Sequence, residues 1–151
     1  MFGVRLRKLS LVVMALAATI HARPALRLYV DAPGAPSRLR DEVVQLLRKN
    51  PAIELVAVPQ QAERIVALAG ETHIRGYQGR NIRLRYVNAD SYPVFTGYLS
   101  VELKTPDEQP VWSSLATAKR PGPEDEVDRS LASQIVKRLV DYLATAEGAK
   151  P

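Results

Sequence analysis

From residue 64 to residue 118 apolar and polar side chains alternate with a period of two, segment after segment, and this commits the middle of the chain to a β-sheet. Residues 64–75 place Val66, Leu68, Gly70, Thr72 and Ile74 on one face, opposite Ile65, Ala67, Ala69, Glu71, His73 and Arg75. A turn is expected at 76–79. Residues 80–88 then set Ile82, Leu84 and Tyr86 against Arg83 and Arg85, and residues 94–104 turn Phe95, Leu99, Val101 and Leu103 inward. A turn at 105–108 leads into a last strand at 110–118, which completes a meander.

Helical periodicity flanks this run on both sides. Leu39, Val43, Leu46 and Leu47 recur at helical spacing over 37–50, with Ser37 expected as N-cap, Asp41 and Glu42 near the positive end, and Arg48 and Lys49 at the negative end. Strands are expected on either side of it, at 26–31 and 53–58, the first broken by the segment 32–36. A turn or short helix follows at 59–63. Near the carboxyl end, Pro121, Gly122 and Pro123 and the acids Glu124, Asp125 and Glu126 announce a helix in which Val127, Leu131, Ile135, Leu139 and Leu143 return every four residues. The expected order is β-α-β-β-β-β-β-α. This is an α+β fold, a mostly antiparallel sheet of about five strands covered by two helices.

The first 22 residues belong to a different pattern. Arg5, Arg7 and Lys8 precede an uncharged, mostly apolar run of 12 residues, 9–20, and then small residues. These are the three parts of a secretory signal peptide, and the run falls short of the roughly 20 residues a membrane span needs. The expectation is a signal peptide over 1–22, a single domain over 23–151 with a frayed carboxyl-terminal tail, and a periplasmic or secreted location. Export also rewrites the charge. The whole chain carries a formal +5, but three cations and no acid leave with the segment, so the mature chain holds +2. The basic balance therefore concerns export more than partners, and export makes nucleic acid a poor one. Absence of cysteine removes disulfides, thiolate catalysis and cysteine-ligated metal.

No catalytic signature stands out, and neither a cofactor nor a metal is expected. His73 is the one histidine of the mature chain, sharing a strand face with Glu71 and Arg75. A small hydrolase or metal-dependent enzyme using His73 with Glu71 or Asp90 is the alternative this leaves, although one His and one Glu fall short of the three or four ligands of a zinc site. Gly70, Gly76 and Gly79 do not form a phosphate-binding loop. The notable charge cluster is Arg75, Arg80, Arg83 and Arg85, interleaved with Tyr77 and Tyr86. Guanidinium groups beside aromatic faces suit a protein partner, and a second alternative is anionic lipid or lipopolysaccharide. The solvated outer face of a hairpin accounts for the same residues.

The run Gln61-Ala62-Glu63-Arg64-Ile65-Val66-Ala67-Leu68-Ala69-Gly70, the later Gly97-Tyr98-Leu99-Ser100-Val101-Glu102-Leu103 and the closing Val111-Trp112-Ser113-Ser114 resemble small bacterial envelope domains. The group comprises the TolB amino-terminal domain, the curli-secretion lipoprotein and the penicillin-binding-protein activator lipoproteins. Spanning about residues 26–146, the resemblance implies a non-enzymatic, partner-binding role in the envelope, with an envelope protein as partner. Two departures stand out: there is no lipobox cysteine, and the hairpin Thr105-Pro106-Asp107-Glu108-Gln109-Pro110 lacks the glycine the group has there. The group's pattern consists of packing and turn positions, so it assigns no site residue.

Overall fold

A computed structural model describes residues 24–79 and 91–148. The elements are β1 (Leu26–Gly34), α1 (Ser37–Arg48), β2 (Ile53–Leu55), a single 3-10 turn (Pro59–Gln61), β3 (Arg64–Gln78), β4 (Tyr92–Lys104), β5 (Pro110–Thr117) and α2 (Glu124–Gly148). The strands form one five-stranded sheet in the order β2-β1-β3-β4-β5. The α+β class holds, with a mixed sheet: β1 runs parallel to β2 and β3, while the longer pairings of β4 with β3 and β5 are antiparallel. Parallel neighbours follow from the helix between β1 and β2, because a crossover returns the chain in its original direction. The strand expected at 80–88 and the segment 1–22 lie outside the described residues.

Both helices cover the same face. Leu28 and Val30 of β1, Val66 and Leu68 of β3, Leu99, Val101 and Leu103 of β4 and Ala116 of β5 meet Leu39, Val43 and Leu47 of α1 and Val127, Leu131, Ala132, Ile135 and Leu139 of α2 in one core. The expected stripes are thus the buried ones, except that Leu46 and Leu143 are only partly covered. Neither α1 nor α2 covers the opposite face of the sheet, where Ala67, Ser100, Glu102, Ser113 and the exposed Leu115 lie together.

Several boundaries differ from expectation. The strand β1 continues through Pro33 to Gly34, because a register shift between Asp31 and Gly34 lets the chain take up one extra residue. Ser37 is the first helical residue rather than the cap. Pro36 occupies the cap position, no side chain bonds the free N–H groups, and the first turn contains no acid. Residues 76–78 belong to β3 and form no turn. Between β4 and β5, Glu108 takes the left-handed conformation (φ 61°) that the missing glycine would favour. Thr105 closes this turn, its hydroxyl accepting from Gln109 N–H at 3.2 Å.

The helix α2 also closes the β5 edge of the sheet. Gln134, Arg138 and Tyr142, one helical turn apart, donate to the carbonyls of Thr117 (3.5 Å), Leu115 (2.6 Å) and Val111 (3.5 Å). The Tyr142 ring stacks on Trp112, with centroids 5.2 Å apart and planes inclined by 18°. Side chains therefore occupy the carbonyls that an added strand would use.

Candidate functional site

The longest strands outrun their neighbours. Pairing with β1 ends where Gly34 meets Ala69, and pairing with β5 ends where Thr117 meets Tyr98. Beyond those points β3 and β4 continue as a two-stranded ribbon, through Thr72 opposite Gly97, His73 opposite Thr96 and Ile74 opposite Phe95, to Gln78 opposite Tyr92. Seven residues of extended chain reach roughly 20 Å. At the root, Gly70 and Gly97 let the backbones pass in close contact: a Cβ on Gly70 would strike the Tyr98 carbonyl, and one on Gly97 the Glu71 carbonyl.

A free two-stranded ribbon is marginal in water, and here its root is tied on both strands. Phe95 exchanges backbone hydrogen bonds with Gly122 in the leader of α2, N–H to O at 2.7 Å and O to N–H at 3.1 Å. On β3, the Thr72 hydroxyl donates to Asp128 Oδ1 at 2.5 Å. Asp128 is the buried charged side chain of the described residues, 3% exposed. Its other oxygen lies 3.6 Å from Arg38 Nε, and the Arg38 guanidinium also donates to Glu124. That hydrogen bond holds the Glu124 carboxyl below its ordinary value against the opposing effect of burial, and raises Arg38. One cluster thus joins the first turns of both helices to the ribbon's root. Sequence reading missed Asp128; its signal was an acid among the Val127 and Leu131 positions, one residue off the stripe.

Past the root, Pro93, Val94 and Phe95 of β4 are half-buried, while several large side chains stand bare. Ile74 stands on the face that carries Val66 and Leu68, yet is 48% exposed, and Tyr77 and Tyr92 are 55% and 47% exposed. A register shift between Ile74 and Gly76 leaves Arg75 as the extra residue, and it is exposed. Of the cluster read from the sequence, the structure places Arg75 and Tyr77 together on this ribbon. Arg80, Arg83, Arg85 and Tyr86 lie outside the described residues, as does Asp90. Glu71 and His73 sit 3.6 Å apart on the ribbon, both more than half exposed. Among the described residues no group of three His, Cys, Asp or Glu side chains converges on a metal position. Among the same residues no helix is long and apolar enough to cross a membrane.

No protein-family model matches the chain. No curated protein sequence matches it either. Solved structures do share its fold. The uncharacterized lipoprotein B of Nitrosomonas europaea superposes with a TM-score of 0.54 at 12% identity, over 80% of this chain and 86% of its own. A PelC dodecamer subunit from Paraburkholderia phytofirmans gives 0.50 at 19% identity, over 76% and 86%. A minor lipoprotein of Acinetobacter baumannii gives 0.49 at 15% identity, over 75% and 91%. At these identities the first two establish a common fold: a mixed five-stranded sheet with two helices on one face.

Proposed function

We propose that this chain is an exported, non-enzymatic accessory protein of the bacterial cell envelope that works by holding a protein partner. The observation that carries the reading is the ribbon of β3 and β4, which presents Ile74, Tyr77 and Tyr92 to solvent beyond the cover of either helix. Aromatic and aliphatic side chains presented on an element tied at its root fit a protein-contact surface, where tyrosine is enriched. Supporting it are the signal-peptide pattern of residues 1–22 and a fold shared with the Nitrosomonas europaea lipoprotein B. The resemblance to the TolB, curli-secretion and activator domains points the same way.

The test is a photo-crosslinking amino acid at Tyr77 in intact cells, compared with the same group at exposed Ser133 on α2. The expected result is a reproducible protein adduct from position 77, absent from 133 and lost when Ile74 and Tyr92 are changed to serine. Equal labelling from both positions would overturn the contact surface, and retention of the chain in the cytoplasm after osmotic shock would overturn export.

A further inference from the structure

The two edges of the sheet are treated differently. On the β5 side, α2 side chains occupy the outward carbonyls of Val111, Leu115 and Thr117. On the other side β2 is only three residues long, and the Ile53 N–H is already given to the Asn50 carbonyl. After Val56 N–H has met the Leu28 carbonyl at 2.9 Å, the chain leaves for β3, and among the described residues no strand accompanies β1 further on this side. Backbone direction alternates along a strand, so the N–H and C=O of Val30 aim at the place a longer β2 would fill.

That place is a groove of about 220 Å³ lined by Val30, Val44, Leu55 and Val56, with Arg40 and Arg48 at its rim. It is smaller than the roughly 300–1,000 Å³ of small-molecule pockets, and it suits one or two side chains of an extended segment. Arg40, Val44 and Arg48 form one stripe of α1, i, i+4 and i+8. Arg40 has a loose 3.9 Å contact with exposed Asp41, and among the described residues no carboxylate pairs with Arg48. Eight residues of helix rise about 12 Å, and four residues of strand span about 13 Å. Acids four apart on a strand beside β1 therefore match the two guanidiniums, with an apolar residue midway over Val44.

We propose that β1 receives an added strand from a partner protein, an extended segment carrying two acidic residues four positions apart with an apolar residue between them. Backbone hydrogen bonds to Val30 supply the pairing, and the two arginines supply the selectivity. The proposal rests on the reading of the chain as a protein-binding module and assigns that module a second surface and a partner chemistry.

The probe is a fluorescein-labelled nonapeptide with glutamates four apart around a central valine and threonines elsewhere, titrated by anisotropy against the full chain. Controls replace both glutamates by lysine, or N-methylate alternate backbone nitrogens. The expected result is binding at least tenfold tighter than either control, weakened at least tenfold by Arg40→Glu with Arg48→Glu, and slowed hydrogen exchange at Val30. Both arginines are exposed, and a circular dichroism spectrum like the wild type's establishes that the charge-reversed chain is folded. Each of three results overturns the proposal: equal affinity for the glutamate and lysine peptides; an N-methylated peptide that binds as well and is displaced by millimolar phosphate, which makes the groove an anion site; or a dimer that the charge reversal dissociates, which makes a second copy the occupant. Crosslinking from Tyr77 is independent of this surface. Its persistence with failed peptide binding removes the groove alone, whereas its loss with intact binding removes the ribbon surface.

Discussion

The two halves of β3 have the same alternating pattern and opposite fates. From Ile65 to Ala69 the strand lies between β1 and β4, and Val66 and Leu68 disappear into the core beneath the helices. From Thr72 to Gln78 its one partner among the described strands is β4, and Ile74 and Tyr77 remain in solvent. Alternation declares which side chains share a face; it does not declare that anything covers the face. Covered residues build stability, and uncovered ones of the same kind are available to something else.

The contrast can be tested most severely at its boundary. Gly97→Ala drives a Cβ into the Glu71 carbonyl and should cost about 3 kcal/mol in denaturant unfolding. Gly76→Ala, within the ribbon and with open space around it, should shift stability by less than about 0.5 kcal/mol. Similar losses at both glycines would erase the distinction between root and ribbon. Next in size, Asp128→Ala removes the carboxylate shared by Thr72 and Arg38 and should cost about 2 kcal/mol. The loss should come with faster hydrogen exchange at Thr72 and Phe95 than in the Leu28–Val30 core.

A smaller effect is expected in acid. The Glu124 carboxyl is held below its ordinary value near 4.5 by Arg38, so the folded chain binds this proton less readily than the unfolded one. Its stabilising contribution is complete above that value and fades as the pH falls below it through the folded pKa. Glu124→Gln should therefore lower stability at neutral pH and flatten the acid limb of the unfolding curve. A limb as steep as the wild type's would show that the Arg38 contact does not persist in solution. One change should be a gain: Glu108→Gly relieves the left-handed backbone far from the ribbon and should add about 1 kcal/mol, with crosslinking from Tyr77 unaltered.

What was legible in the sequence was periodic. The stripes Leu39, Val43, Leu47 and Val127, Leu131, Ile135, Leu139 are the buried ones, and Leu99, Val101 and Leu103 point inward as alternation requires. Pairing was harder to read, because the direction of β1 relative to β3 is set by a crossover and not by local residue choice. The glycines misled in one place: Gly76 suggested a turn, whereas the strand absorbs it beside a bulge at Arg75 and runs on. Asp128 was invisible because its partners, Thr72 and Arg38, are far away in sequence. Of the candidate site, Arg75 and Tyr77 could be read from the sequence as neighbours at the end of an alternating run, but the bareness of Ile74 depends on where two helices begin.

The stacking of Trp112 on Tyr142 has a practical consequence. Trp112 is the one tryptophan of the chain, and it lies where α2 meets β5, remote from the ribbon and from the groove beside β1. Its fluorescence is a built-in reporter of whether the carboxyl-terminal helix is seated. Unseating α2 should move the emission to longer wavelength and simultaneously uncover the Val111, Leu115 and Thr117 carbonyls. The same signal would therefore give early notice, in ordinary solution, of molecules about to join edge to edge.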